Sequence, residues 1–181
     1  MNPIHLACSK GHVEVLEKLL KGPKANPDKA DGEGRTPLHI ACFNGNAKAV
    51  ELLLKAGATK DATNKDGQTP LHVACMEGKL DVVKALLAVE GGVDINKTDP
   101  DGRTALLVAV LNGHDEVVKA LLGAGADKTV VNDAGQTALD VAVAKDRKEI
   151  IKMLKGEIAT EEQPTPQQTT PQKPTDEKKE L

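Results

Sequence analysis

Apolar and polar residues follow a pattern that recurs along the chain. One short motif occurs five times, at Asn2-Pro3-Ile4-His5, Thr36-Pro37-Leu38-His39, Thr69-Pro70-Leu71-His72, Thr104-Ala105-Leu106-Leu107 and Thr137-Ala138-Leu139-Asp140. Successive copies are offset by 34, 33, 35 and 33 residues. A fixed period of this length is typical of proteins built from stacked structural repeats.

Each copy carries the signals of a helix, a turn and a second helix. The Thr or Asn can accept a hydrogen bond from free N–H groups at a helix start, and Pro suits the first helical turn. A Gly then ends the first helix in four copies, at Gly11, Gly45, Gly78 and Gly113. Apolar periodicity predicts second helices over Val13–Lys21, Ala47–Ala56, Leu80–Val89 and Asp115–Gly123. Segments such as Gly57 to Gly67 and Gly125 to Gly135 predict projecting loops.

These residues resemble the ankyrin repeat, whose pattern includes Thr-Pro-Leu-His-x-Ala at a period of about 33 residues. The resemblance covers residues 2–155 and implies an all-α repeat solenoid. In that fold, five stacked helix–turn–helix repeats with β-hairpin-like loops share one continuous core. The predicted domain spans 1–156, with repeats at about 2–34, 35–67, 68–102, 103–135 and 136–156.

The sequence departs from the family pattern at three places. Ala105 and Leu107 stand where Pro and His are expected, and Asp146 replaces a turn Gly. Two extra residues lie around Ala88–Gly92 and are expected to lengthen either the second helix end or the loop after it. None of these changes conflicts with the predicted fold.

The two ends of the predicted stack differ. Near the C-terminus the outer face is polar, as a terminal cap requires, with Lys145, Asp146, Arg147, Lys148, Glu149, Lys152 and Lys155. At the N-terminus, Pro3, Ile4, Leu6 and Ala7 repeat the internal apolar pattern. Either the first repeat tolerates an exposed apolar side, or something covers it.

Composition narrows the classes of partner. The 181 residues include one Phe and no Tyr or Trp, so the core is expected to be aliphatic. Net charge is −3, and residues 1–156 carry 21 acidic and 21 basic side chains. A neutral body with a single aromatic residue fits neither nucleic acid nor an anionic membrane. We expect a monomer without cofactor or small-molecule substrate.

Because the N-terminal residues do not resemble a secretory signal, we expect the protein in the cytoplasm, with the nucleus as a second location.

From residue 157 to 181 the chain is rich in Thr, Gln, Pro, Glu and Lys. Such a segment cannot bury enough apolar surface to offset its ordering entropy, which predicts a disordered tail. Thr165 and Thr170 each precede a Pro and are candidate sites for proline-directed kinases.

Two ladders of reactive residue types suggest chemistry at first sight. Cys8, Cys42 and Cys75 share one repeat position, and His5, His39 and His72 share another, three residues earlier. Successive repeats are about 8–10 Å apart, too far for a disulfide or for four zinc ligands at about 2.0–2.3 Å. We therefore predict small buried cysteines and no metal site. The family resemblance implies that the histidines tie neighbouring loops together.

The same resemblance implies that partners bind the concave side, at the finger-like loop tips and the exposed face of each first helix. One column there reads Ser9, Phe43, Met76, Leu111 and Ala144, and the next reads Lys10, Asn44, Glu77, Asn112 and Lys145. Three large apolar residues in register predict that a helix or extended peptide binds through Phe43, Met76 and Leu111. The alternative is that these side chains fold back against their own fingers. Arg35, Gln68, Arg103 and Gln136 are predicted to form a polar rim.

No nucleophile–base pair or phosphate-binding Gly loop falls outside the repeat pattern, so we predict that the protein is not an enzyme. The leading hypothesis is a small regulatory or adaptor protein that binds through its concave face. The alternative is a targeting or substrate-recognition adaptor whose tail recruits other machinery. Because the family includes asparagine-hydroxylated members, Asn96 is a further candidate modification site.

Overall fold

The computed structural model describes residues 2–157. Within this range the chain forms ten helices in five consecutive pairs. They are α1 Pro3–Lys10, α2 Val13–Leu20, α3 Pro37–Asn44, α4 Ala47–Lys55, α5 Pro70–Met76, α6 Leu80–Leu87, α7 Ala105–Asn112, α8 Asp115–Gly123, α9 Ala138–Ala144 and α10 Lys148–Lys155. The all-α fold predicted from the repeats is confirmed. The predicted tail, with Thr165 and Thr170, lies outside the described residues.

The helix starts and turns follow from the residues at the repeat boundaries. At the start of α5, the Thr69 hydroxyl accepts a hydrogen bond from the backbone N–H of His72, and Pro70 occupies the first turn. After α3 the chain turns at Gly45, whose φ of 77° lies in the left-handed region that Gly adopts most readily. In the fifth repeat Asp146 adopts φ 51°, because the short Asp side chain tolerates this left-handed conformation.

The helices form two layers. The first helices α1, α3, α5, α7 and α9 pack side by side, and the second helices form a matching layer behind them. Leu and Val side chains between the layers are fully buried, among them Leu38, Leu53 and Leu86. Cys8, Cys42 and Cys75 lie in this core without solvent exposure.

The loops between repeats form a row of fingers that contact one another. The Lys65 N–H donates to the Glu33 carbonyl at 3.1 Å, and the Asp133 N–H donates to the Asp101 carbonyl at 3.0 Å. Between these pairs, a side chain at Gly67 would collide with Pro100. Among the described residues, the β-bridge geometry of these hairpin-like loops is limited to one antiparallel pair, Thr98 with Thr104.

The two extra residues of the third repeat lengthen a loop rather than a helix. α6 ends at Leu87, one residue shorter than α4 and α8. The chain then turns through Gly91 and Gly92, both with positive φ. Of the two outcomes expected for this insertion, the structure shows the second.

The N-terminal end of the stack exposes apolar side chains. Leu6 is 52% exposed, whereas Ile40 at the same position of the next repeat is 6% exposed. Val15 is likewise half exposed, and its counterpart Ala49 is buried. At the other end the lysines of α10 are exposed, but so is Val143, so the C-terminal end face is not wholly polar. In the part of the chain that the structure describes, no helix is long and apolar enough to span a bilayer.

Candidate protein-binding face

The three inner first helices, α3, α5 and α7, expose very little of their surface. In α3 the six residues Pro37–Cys42 are buried, and solvent reaches only Phe43 and Asn44 at its C-terminal end. The same six positions are buried in α7, where Leu111 and Asn112 are exposed. Any partner that contacts these helices must therefore meet the columns that contain Phe43 and Asn44.

Three large apolar residues lie in register along this column. Phe43 is 52% exposed and Leu111 39% exposed, while Met76 between them is partly buried against the core. These exposures favour an interface over packing against the fingers for Phe43 and Leu111. Since α3, α5 and α7 are packed in sequence at about 8–10 Å, the three side chains span roughly 16–20 Å. We call Phe43, Met76 and Leu111 the apolar stripe.

The polar neighbours of the stripe are partly engaged within their own helices. The side-chain amide of Asn44 donates to the Ile40 carbonyl at 2.8 Å, and that of Asn112 donates to the Val108 carbonyl at 2.8 Å. Glu77, the third residue of this column, is half-buried. The two Asn side chains are thus held against helices, with their oxygen atoms left to accept hydrogen bonds.

The four predicted rim residues have a role inside the fingers. The Arg35 guanidinium donates to the Asp31 carboxylate at 3.0 Å, and Arg103 donates in the same way to Asp99 at 2.9 Å. In the alternate fingers, an Asn amide donates to a Gln side chain at the same spacing. These pairs are Asn64 with Gln68 at 3.3 Å and Asn132 with Gln136 at 3.4 Å.

The charged pairs in the fingers stabilise the ionised form of the Asp side chain. Burial opposes ionisation of Asp31, but hydrogen bonds from Arg35 and from the Glu33 N–H outweigh it and hold the pKa of Asp31 at about 2. Because the Arg35 guanidinium is paired with the Asp31 carboxylate, it stabilises the closed conformation of the finger. A contribution of the four rim side chains to partner contact remains a prediction.

The histidine ladder joins three of the first helices, α1, α3 and α5, to the next finger. The Nε2 atoms of His5, His39 and His72 lie 3.0, 2.9 and 3.0 Å from the carbonyl oxygens of Arg35, Gln68 and Arg103. Burial lowers the pKa values of His39 and His72, which favours the neutral imidazole that this geometry needs.

A second set of inter-repeat bonds holds the backbone beneath the stripe. The Nε2 of His114 lies 3.0 Å from the carbonyl oxygen of Met76, and the side-chain amide of Asn46 donates to the Cys8 carbonyl at 2.6 Å. Both residues directly follow a turn Gly in the sequence. The first contact fixes the C-terminal end of α5, where the stripe residue Met76 lies, and the second ties the turn after α3, three residues beyond Phe43, to α1.

The cysteines are sequestered in the core. All three are unpaired and fully buried, and burial raises the pKa of the Cys8 thiol to about 12. A thiol in this state is a poor nucleophile and a poor metal ligand. Among residues 2–157, no three His, Cys, Asp or Glu side chains are grouped so that they could hold a metal ion.

Asn96 takes part in a ladder between the loops. Its side-chain oxygen accepts a hydrogen bond from the Asp127 N–H at 2.9 Å. The equivalent carboxylates accept in the same way, Asp28 from the Thr59 N–H and Asp61 from the Asp94 N–H. This bond gives Asn96 a structural role, and its modification remains untested.

Four exposed carboxylates at the finger tips were not singled out from the sequence. They are Glu33, Asp66, Asp101 and Asp133. Three of them share one repeat position, two residues before the rim column, and that in-register spacing was the available signal.

A family model described as ankyrin repeats (3 copies) matches residues 4–99, 56–132 and 87–163. Together these overlapping matches cover most of the chain. The chain belongs to the ankyrin-repeat family. Ankyrin repeats are general protein–protein interaction modules and are typically not catalytic. Comparison of this ankyrin-repeat chain with curated proteins found no match.

Proposed function

We propose that this ankyrin-repeat protein is a small, non-enzymatic regulatory or adaptor protein that binds another protein through its concave, first-helix face. One observation carries the proposal: the inner first helices α3, α5 and α7 expose little beyond their C-terminal ends, and each of these ends carries one large apolar residue. An aromatic or aliphatic side chain held on a rigid helix can serve as a binding anchor at little cost in conformational entropy.

The rigidity of the stripe supports the same proposal. Each stripe residue lies at the C-terminal end of a short helix whose first six residues are buried, and the His114 and Asn46 side chains tie two of these ends to neighbouring repeats. A face held in this way changes little on binding, so its apolar contacts translate efficiently into affinity.

The test replaces the stripe residues by Ser and compares this variant with one in which three exposed apolar residues elsewhere are replaced. The test variant is F43S/M76S/L111S, and the matched control is L6S/V131S/V143S, whose three residues are each about half exposed. Both are expressed in source cells, and captured proteins are quantified by mass spectrometry. Circular dichroism checks that both keep their helicity.

We expect one or more captured proteins to be lost with the stripe variant and kept with the control. Equal capture by the wild type and by both variants would overturn the proposal. A chain ending at residue 156 then separates two roles. A regulator that acts by occupying its partner keeps its effect without the tail, whereas an adaptor whose tail recruits other machinery loses it.

We further propose that the protein acts as a monomer in the cytoplasm or nucleus. Sedimentation analysis of the purified chain and fractionation of source cells test these two points.

A further inference from the structure

The finger tips concentrate negative charge in a body that is formally neutral. Each of the four fingers carries one exposed tip carboxylate: Glu33, Asp66, Asp101 and Asp133. The fingers touch in sequence, through Lys65 with Glu33, Gly67 with Pro100, and Asp133 with Asp101. The carboxylates therefore form a continuous acidic row along the stack, which we call the acidic ridge.

Nearby cations do not cancel this charge. Arg35 and Arg103 are paired with the inner carboxylates Asp31 and Asp99, and Arg103 also contacts Asp101 at 2.7 Å. In the four tip segments, residues 31–34, 64–67, 99–102 and 132–135, Lys65 is the one lysine beside the four ridge carboxylates. The ridge therefore keeps net negative charge and favours a partner with positive charge.

The acidic ridge and the apolar stripe run parallel at opposite ends of the first helices. A finger leads directly into the start of each first helix, and the stripe residue lies at its end, as Arg35 and Phe43 do on either side of α3. Eight helical residues span about 12 Å, which is close to the 10–12 Å diameter of an α-helix with its side chains. A single helix lying across α3, α5 and α7 is wide enough to meet both lines.

The spacing of the stripe also suits a helix. Neighbouring stripe residues are about 8–10 Å apart, and seven residues of an α-helix rise about 10.5 Å. Apolar residues at i, i+7 and i+14 of one helix then face Phe43, Met76 and Leu111 in turn. A polyproline II segment gives a similar rise of about 9.3 Å every three residues, so spacing alone does not separate the two.

Hydrogen bonding favours the helix over the polyproline segment. An extended backbone leaves its carbonyl groups in need of donors, but the amides of Asn44 and Asn112 beside the stripe each commit one of their two N–H groups to a carbonyl of their own helix, Ile40 or Val108. An α-helix satisfies its own backbone and needs only side-chain contacts.

We infer that the partner segment is a basic amphipathic helix, with its apolar side on the stripe and its Lys or Arg side chains toward the acidic ridge. This inference rests on the proposed function, because it assumes that the stripe is the binding surface. It adds the charge and the secondary structure of the partner.

The test uses the full chain and three synthetic peptides of 18 residues. The first, the Lys helix, has Leu at three positions seven residues apart and Lys on the flank that would face the ridge. The second, its Glu twin, has Glu in place of each Lys. The third, the Pro-containing peptide, has the same number of Leu and Lys residues at a three-residue period with Pro between them. Affinities are measured by fluorescence anisotropy at low and high salt, and peptide helicity by circular dichroism.

We expect the Lys helix to bind at least about tenfold more tightly than its Glu twin at low salt, with a smaller ratio at high salt. The variant E33Q/D66N/D133N should weaken the Lys helix about two- to fivefold for each carboxylate removed. Asp101 is left in place because it also contacts Arg103. The stripe variant F43S/M76S/L111S should abolish binding of the Lys helix.

Three results would overturn the inference: equal or tighter binding of the Glu twin, tighter binding of the Pro-containing peptide, or binding of the Lys helix that survives loss of the stripe. Each is distinguishable from failure of the proposed function, which is decided by capture from cells with the stripe variant and its matched control. If the stripe variant loses native partners while the Glu twin binds more tightly, the protein-binding function stands and the basic partner does not.

Discussion

The Nε2 atom of His39 lies 2.9 Å from the carbonyl oxygen of Gln68, so a side chain of one repeat holds the finger of the next. The Nδ1 atom of the same ring accepts hydrogen bonds from the Thr36 N–H and hydroxyl. A carbonyl can only accept, so Nε2 carries the proton and the ring is a neutral tautomer. Each such ring therefore couples two neighbouring repeats.

Replacement of His39 by Leu, the residue that the fourth repeat carries at Leu107, should lower the free energy of unfolding by about 1–3 kcal/mol. The Gln68 carbonyl keeps its second donor, the Asn64 N–H at 3.0 Å, which limits the loss. Guanidinium unfolding measures the change. His12→Leu is the matched control, because His12 is exposed, and it should have an effect within about 0.5 kcal/mol. Equal effects of the two changes would contradict a structural role for the ladder.

The two histidines with lowered pKa values make stability depend on pH. The pKa of each is below its usual 6.5 in the folded chain, chiefly because burial disfavours the charged ring. Between the lowered pKa of the folded chain and the ordinary pKa of 6.5, the unfolded chain binds more protons than the folded chain. The contribution of each histidine to the free energy of unfolding is therefore largest above pH 6.5 and decreases as the pH drops below it. The slope is at most about 1.4 kcal/mol per pH unit for each histidine.

Urea midpoints at pH 7.5, 6.5 and 5.5 measure this slope. The double variant H39L/H72L should be less stable at pH 7.5 but show a flatter dependence over the same interval. Asp31, with its pKa of about 2, contributes only at lower pH and does not obscure the result. An unchanged slope in the double variant would show that other groups cause the pH dependence.

Much of the fold was predictable because its signals are local. A helix cap such as Thr69 and a turn such as Gly45 act within one helical turn of chain, so their residue types suffice to place them. The third repeat was harder, since residues 88–92 are compatible with a longer helix or a longer loop. Two adjacent Gly residues, Gly91 and Gly92, both with positive φ, place the extra length in the loop.

The polar part of the candidate site was less predictable. Arg35 and Gln68 occupy one exposed-looking column, but each side chain is paired within its own finger. Whether a loop side chain pairs internally depends on how the loop closes, which residue type alone does not show. The sequence does contain a signal for this internal pairing, because the two positions change together from repeat to repeat. Asp precedes Arg by four residues, and Asn precedes Gln by four.

The exposed N-terminal end gives a prediction that separates tolerance from coverage. Leu6→Gln should change the free energy of unfolding by less than about 0.5 kcal/mol, because Leu6 already contacts solvent. Ile40→Gln, the same change one repeat further, should cost about 2–4 kcal/mol, because it buries an amide in the core. If Leu6→Gln instead destabilises the chain in a concentration-dependent way, a second copy covers this end, and sedimentation analysis will detect it.

Charged Asp–Arg pairs and neutral Asn–Gln pairs alternate along the four fingers. The Asp99 side chain is fully buried and accepts hydrogen bonds from the Asp101 and Arg103 N–H groups as well as from the Arg103 guanidinium. In the neighbouring finger, Asn64 makes the corresponding backbone bonds and pairs with Gln68. The two kinds of pair therefore fill the same site with matched groups.

A change of one partner should be costly and a change of both should not. Arg103→Gln leaves the buried Asp99 carboxylate without its counter-charge and should lower the free energy of unfolding by about 1–3 kcal/mol. The double change D99N/R103Q recreates the pair of the neighbouring finger and should recover most of that loss. A double-mutant cycle from guanidinium unfolding measures the coupling energy between the two side chains. Coupling below about 0.5 kcal/mol would mean that each residue acts through its backbone bonds alone, and the alternation of pairs would then have no energetic basis.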